Sequence, residues 1–457
     1  MKSPLAHTLC FALATLLHTM PVYAGPTVIL LIGDGMDEQQ LTIARNYLHG
    51  ASGRLAVDAL PVRSSVQVLT VAEKDPKRSI YVADSANSAT AMATGNITSR
   101  GRIATSAGTD RDLETIVSIA HRAGLRTGLV TTSSVTDATP ASFATHISHR
   151  SCEDPTRMQS YEVAGDFVVD CSQDLQSHGG PGSIAEQLAR SPLDLILGGG
   201  RGHFEAAIDS QESPLAIAAR NGFDVFSSPA ELVAGEGVNR RIGLFAERHL
   251  PVRWHGEQGR IAEKPQPSLL NYAYRYFGSV KQPQAFQCED NPNYGDTPSL
   301  KAMTDTALDQ LHNDRGFFLM VESASIDKRS HQRDPCGQIG EVAQLMEALQ
   351  SALAYAEKNP ETLVLVTADH GQAAQLVPDE SIFAAYGVPI FTPGNIARLQ
   401  TPEGSIMAIN YATNQFDVEE HTGVQVPLFA NDVAAGKIPP LLFQHEIFGL
   451  MRDHLGI

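Results

Sequence analysis

Beyond its N-terminal segment the chain has no apolar run long enough to cross a bilayer, so no membrane partner is expected. Basic residues are scarce: 34 Lys and Arg stand against 51 Asp and Glu, for a formal net charge of −17. That deficit argues against nucleic-acid binding through a basic patch. It also repels phosphate-bearing ligands at long range, so a site for an anionic substrate must reverse the local sign, as bound metal ions do. Cysteine is sparse too, with five in 457 residues and no C-x-x-C spacing, which argues against a zinc site made of cysteines. There is no internal repeat and no low-complexity linker.

What is present begins with an export pattern. Lys2 supplies a basic start, Leu9 to Met20 an apolar stretch, and Val22-Tyr23-Ala24 before Gly25 a small-residue cleavage site. Residues 1–24 therefore read as a secretory signal peptide, too short to span, and residues 25–457 as a soluble protein of the periplasm or the medium. Cys10 lies in the leader, which leaves Cys152, Cys171, Cys288 and Cys336 in an oxidising compartment. Four such cysteines suggest two disulfides. Proximity favours Cys152–Cys171 and Cys288–Cys336, although three connectivities are formally possible.

Strands and helices alternate along the chain. Thr27 to Ile32, Phe317 to Val321 and Thr362 to Ala368 are apolar runs without polar alternation, as in parallel strands covered on both faces, and Leu193 to Leu197 is another short apolar strand. Thr127 to Thr132 reads as a further strand. Gln39–Leu48, Leu113–Ala123, Met303–Leu311 and Val342–Glu357 carry helical periodicity. The expected fold is α/β, a central mostly parallel sheet with helices on both faces. Residues 202–298 are less regular and are expected to be peripheral. Three of the strands run into a carboxylate, at Asp34, Glu322 and Asp369, and open α/β sheets bind ligands beyond the carboxyl ends of their strands.

The stretch from Tyr81 to Gly95 is the centre of the functional reading. Extended chain leads into Asp84-Ser85, an alanine-rich helical pattern follows, and Gly95 stops it. Ser85 then sits at a helix N-terminus, where free N–H groups and the helix dipole favour an anion. Its hydroxyl is either a nucleophile toward a phosphate ester or a plain helix cap.

Asp34, Asp327, His331, Asp369, His370 and His421 form a mixed carboxylate and imidazole set, which suits zinc rather than calcium. Asp327 and His331 are four residues apart and share one face of a helical turn. Six ligands are too many for one tetrahedral ion and suit two, which at roughly 4 Å apart clamp the entering and leaving oxygens of an in-line phosphoryl displacement. Glu322, Asp34 and the hydroxyl of Thr139 make an all-oxygen set fit for Mg²⁺. A zinc beside Ser85 would lower its hydroxyl pKa without a histidine base. Arg150, after a helix expected to start just past Pro140, can take two phosphate oxygens in a fork.

These blocks resemble the alkaline phosphatases, specifically the bacterial zinc/magnesium type. The resemblance is carried by Ile32-Gly33-Asp34-Gly35-Met36, Asp84-Ser85-Ala86 through Gly95, Asp137-Ala138-Thr139-Pro140 through Arg150, Glu322 through His331, Thr367-Ala368-Asp369-His370 and Glu420-His421-Thr422-Gly423, in the family's order. It implies phosphate monoester hydrolysis at alkaline pH, over a broad substrate range, through a phosphoserine at Ser85. One zinc would be held by Asp327, His331 and His421, the second by Asp34, Asp369 and His370, and magnesium by Asp34, Thr139 and Glu322. By the same resemblance Arg150 grips the phosphate with Asp84 orienting it, Asp137 and Lys328 form the outer-shell pair of bacterial members, the four cysteines form the two bacterial disulfides, and the chain forms a homodimer. Its partners would be small phosphate monoesters and inorganic phosphate. Sulfatases of the superfamily need a C/S-x-P-x-R setting that Ser85 lacks, and diesterases usually carry threonine there. The chain departs from the family at Asp37, where glycine is usual, and at Gln372, where a bacterial relative has an outer-shell histidine.

Overall fold

The apolar runs of the sequence form the middle of a ten-stranded sheet in the computed structural model, which describes residues 25–159, 161–163, 167–208, 212–232, 240–389 and 392–457. The leader read at 1–24 lies outside the described residues. The strands are β1 (Thr27–Gly33), β2 (Val62–Gln67), β3 (Arg126–Ser134), β4 (Leu195–Gly199) and β5 (Phe223–Phe226), followed by β6 (Arg240–Leu244), β7 (Phe317–Ser323), β8 (Thr362–Ala368), β9 (Val426–Ala430) and β10 (Leu441–Phe443). Their spatial order is β10-β2-β9-β8-β1-β7-β3-β4-β6-β5. Of these ten, β9 runs antiparallel to its neighbours β8 and β2, and the other pairings are parallel.

Every residue of β1, β7 and β8 is buried, so both faces of the sheet are covered there. Each aliphatic side chain so buried contributes roughly 1.5–3 kcal/mol. The register sets the function. Gly33 of β1 is opposite Ser323 of β7 and Ala368 of β8, which brings Asp34, Glu322 and Asp369 to one level at the carboxyl edge.

The helices that matter for the site are α1 (Glu38–His49), α2 (Ser85–Thr94), α3 (Ala138–Ser142), α4 (Leu300–Leu311), α5 (Ser325–His331), α6 (Pro335–Lys358) and α7 (Glu446–Leu455). The long α6 starts with Pro335, whose missing N–H is no loss at that position, behind the cap Asp334, which accepts from the Gly337 N–H at 3.0 Å. It packs against β1, β7 and β8 as well as α1 and α4, while α7 lies against β1 and α2. Among the described residues no helix is long and apolar enough to cross a membrane.

Two expectations are revised. The helix placed after Pro140 begins before it, at Ala138, and ends at Ser142. Ile147 instead exchanges backbone hydrogen bonds with Ile103, so the segment leading to Arg150 is irregular. Residues 202–298, expected to be peripheral, supply β5 and β6 to the central sheet. Among its described residues that segment also holds the helices Pro214–Arg220 and Leu269–Ala273 and two small antiparallel pairs, Trp254–Gly256 with Cys288–Asp290 and Gln266–Pro267 with Val280–Lys281. The disulfides are Cys152–Cys171 and Cys288–Cys336, and the second ties this segment to the start of α6.

Candidate metal centre and nucleophile

Asp84, not Ser85, caps α2. Its carboxylate accepts from the Asn87 N–H at 3.1 Å, and the Asn87 side chain accepts from the Asp84 N–H at 2.9 Å. Ser85 is thereby released from capping at the first helical position. Its buried hydroxyl lies 3.1 Å from Nε2 of His370. At the other end Gly95 turns the chain with φ 72°, a left-handed conformation that favours glycine.

The six expected zinc ligands fall into two groups whose ligating atoms lie within 4.8 Å of one another. In the first, Asp34 leaves β1 while Asp369 and His370 leave β8. Nε2 of His370 is 3.4 Å from Oδ1 of Asp34 and 3.4 Å from Oδ2 of Asp369. In the second, Asp327 and His331 come from α5 and His421 from the loop before β9. Nε2 of His331 is 3.3 Å from Oδ2 of Asp327, and Nε2 of His421 is 3.4 Å from Oδ1 of Asp327. The groups adjoin, because the His370 and His421 rings stack at 3.7 Å.

Each imidazole is oriented by a backbone carbonyl. Nδ1 of His331 faces the Glu419 carbonyl, that of His370 the Gly371 carbonyl at 3.2 Å, and that of His421 the Ala83 carbonyl at 2.9 Å. A neutral ring that donates through Nδ1 turns its Nε2 lone pair inward. In that neutral form all three rings would present Nε2 lone pairs to the carboxylates. Nε2 of His331 and Nε2 of His421 approach to 3.2 Å, an arrangement that needs a cation or a proton between them.

Burial makes the demand for positive charge sharper. Oδ1 of Asp34 and Oδ2 of Asp369 are buried without a hydrogen-bond partner among the described residues, which is rare for carboxylate oxygens. Burial, and then the nearby Asp369 and Asp327, pushes the Asp34 carboxyl well above its ordinary range. Burial likewise pushes Asp369 up to about 6 and holds His370 well below the usual imidazole value. Orphaned carboxylate oxygens beside inward-facing lone pairs fit divalent cations, and the Asp/His donor sets fit zinc.

Glu322 and Thr139 are both buried beside this cluster. Glu322 accepts from the hydroxyls of Thr131 and Ser133, the latter at 3.3 Å, and burial pushes it up to about 7 against the pull of Lys328. Together with Asp34 they offer oxygens alone, the chemistry of a hard cation.

Cationic side chains face the same space. Lys328 on α5 places Nζ 2.6 Å from Oδ2 of Asp137 and 3.9 Å from Oδ2 of Asp34. Arg150 donates to Asp84 at 3.3 Å and to Asp137 at 3.1 Å. Burial alone would raise the Asp137 carboxyl, but Lys328 and Arg150 hold it well below the usual range. Arg150 sits on irregular chain, anchored by its own N–H to the Gly101 carbonyl at 2.7 Å and by the nearby disulfide at Cys152.

The structure therefore brings together every site residue picked out in the sequence. It also adds some. Gln372, known from the sequence only as a departure, donates from Nε2 to Oδ1 of Asp327 and is held in turn by Gln40. Glu419, fully buried and paired with Arg333 at 2.7 Å, carries the carbonyl that orients His331. No local pattern marks Glu419, since its role depends on a contact 88 residues away.

A family model described as alkaline phosphatase matches residues 26–435. Streptomycin-6-phosphate phosphatase of Streptomyces griseus is 38% identical over 444 residues, covering 94% of this chain and 90% of that protein. Alkaline phosphatase of Escherichia coli K12 is 37% identical over 441 residues, covering 94% and 86%. Among solved structures, alkaline phosphatase from the Antarctic bacterium TAB5 superposes with a TM-score of 0.66 at 22% identity, covering 95% of this chain and 99% of that one. Similarity at that identity bears on the fold alone. A variant of the TAB5 protein has been solved with Mg bound in its M3 site.

Proposed function

The chain belongs to the alkaline phosphatase family, and on that premise we propose that it hydrolyses phosphate monoesters through a phosphoserine at Ser85, with two zinc ions and one magnesium ion. Asp34, Asp369 and His370 would hold the zinc beside Ser85, and Asp327, His331 and His421 the other. Asp34, Thr139 and Glu322 would hold magnesium. Bound there, the ions would supply the positive charge that lowers the pKa of the serine hydroxyl and of a water and stabilises the oxygens entering and leaving phosphorus.

The chain's own groups do the rest. Oγ of Ser85 forms a bond to phosphorus as the ester P–O bond breaks and the alcohol leaves. Water then forms the next bond to phosphorus as the Oγ–P bond breaks, which releases inorganic phosphate and restores the hydroxyl. Arg150 takes two phosphate oxygens in its fork, with Asp84 and Asp137 fixing the plane of the guanidinium. Lys328 shares its charge between Asp137 and the phosphate. Burial keeps the His370 ring neutral, which suits a ligand rather than a proton carrier.

The observation that carries this reading is the Ser85 hydroxyl, 3.1 Å from a histidine that belongs to one of two adjoining carboxylate–imidazole groups. The relatives' names, one for streptomycin 6-phosphate and another simply for alkaline phosphatase, support a broad substrate range. Residues 25–457 are taken as one catalytic domain. The two disulfides and the pattern of residues 1–24 support export to the periplasm or the medium. The homodimer is carried over from the family, and sedimentation of the purified protein tests it.

The activity test uses an aryl phosphate monoester and its matching diester at alkaline pH. Monoester cleavage that is lost on chelation and restored by zinc with magnesium is expected. Preference for the diester, or indifference to chelation, would refute the proposal.

A further inference from the structure

A cleft of about 330 Å³ opens directly from the second carboxylate–imidazole group, with His331 and His421 in its lining. Its other walls include Val82, Arg100, Phe416 and Val418. Phe416 is 76% exposed and Val418 51% exposed. Single exposed apolar residues need no explanation, but two that flank the mouth of a polar catalytic cluster do.

The loop that carries them is held in place. The Phe416 N–H donates to the Asn414 side chain at 2.7 Å, the Asn414 amide donates to the Val418 carbonyl at 3.0 Å, and Arg333 donates both to Glu419 and to the Phe416 carbonyl. Arg100 is fixed as well, with Nε and Nη2 both donating to the Val82 carbonyl. A flat apolar ring and a flat guanidinium are thus displayed on rigid backbone. A planar guanidinium stacks on aromatic faces.

The proposed reaction gives this cleft a use. In an in-line displacement the departing oxygen leaves phosphorus on the side opposite the attacking Ser85 hydroxyl. Ser85 contacts the His370 group, and the cleft opens from the adjoining Asp327–His331–His421 group, which makes it the space available to an alcohol leaving on the far side from Ser85. We propose that the cleft is a leaving-group subsite that, within a broad substrate range, favours phosphate monoesters of aromatic alcohols over aliphatic ones, the ring lying against Phe416 and the Arg100 guanidinium. This rests on the phosphomonoesterase reading above.

The test compares 1-naphthyl phosphate with methyl phosphate in the wild-type enzyme and in Phe416→Ala. Taking the ratio of the two kcat/KM values in each enzyme cancels the intrinsic difference between the leaving groups. That ratio is expected to fall about fivefold in the variant, the size of one lost aromatic contact. Calorimetric binding of naphthylmethylphosphonate and methylphosphonate, which cannot be cleaved, should show the same fall in relative affinity. An unchanged ratio in both experiments overturns the subsite. Wild-type enzyme inactive on both esters overturns the phosphomonoesterase reading instead, and the phosphonate pair then still decides whether the cleft binds a ring.

Discussion

Replacing Arg150 tests how the site reverses the sign of an acidic protein. Two carboxylates, Asp84 and Asp137, aim the guanidinium. Hydrogen bonds to charged groups contribute about 1.5–3 kcal/mol. At about 1.4 kcal/mol per decade, Arg150→Ala should weaken competitive inhibition by inorganic phosphate roughly 10- to 100-fold. The variant should fold, because the carboxylates it abandons keep other partners. Asp84 retains the Asn87 and Gly101 N–H groups, and Asp137 retains Lys328 at 2.6 Å. Arg150→Lys keeps the charge but not the fork and should fall between the two. The assay is the phosphate inhibition constant with a thermal melt on the same preparations. Inhibition within about twofold of wild type for Arg150→Ala, smaller than the contribution of any charged hydrogen bond, would refute the assignment.

Four further variants probe the site and the scaffold that supports it. Gln372→Ala removes the donor to Oδ1 of Asp327 and should weaken zinc retention by about tenfold in competition with a chromogenic chelator; unchanged retention would show that Gln372 does not tune this group. Replacing Cys288 and Cys336 by alanine opens a loop of sequence separation 48 and should lower stability by about 4 kcal/mol, against about 3 kcal/mol for the Cys152–Cys171 pair at separation 19. Urea unfolding of the two double variants reads the order, and the reverse order would contradict the loop-length argument. Leu30→Ala, in the fully buried centre of β1, should cost about 2–5 kcal/mol in the same assay.

The central strands were legible because parallel strands buried on both faces leave unbroken apolar runs, as in Thr27–Gly33 and Thr362–Ala368. Their carboxylate ends, at Asp34 and Asp369, were legible for the same reason, since the charge interrupts the run where each strand ends at the buried cluster. The outer strands β5 and β6 left no such trace. They are short and carry Asp224, Arg240 and Arg241, and the buried Arg241 lies over the Phe226 ring at 4.2 Å while donating to the Glu231 and Leu232 carbonyls. The stretch from Ala141 to His149 reads as helical from Pro140 alone, but the helix ends at Ser142 and Ile147 pairs across to Ile103, a partner that local reading cannot supply. The site shows the same division. Side chains that meet the proposed ions are marked by type and spacing, whereas the carbonyls of Ala83, Gly371 and Glu419 that turn the imidazoles inward carry no residue signature at all.

The most direct measurement is to trap the covalent intermediate. The metal-loaded enzyme is mixed with a phosphate-labelled monoester, quenched in acid and digested, and the labelled peptide is sequenced. The account predicts label on Ser85, and no label in Ser85→Ala, with zinc content held because the hydroxyl is not one of the six proposed zinc ligands. Label on another residue, or label retained in Ser85→Ala, would contradict it.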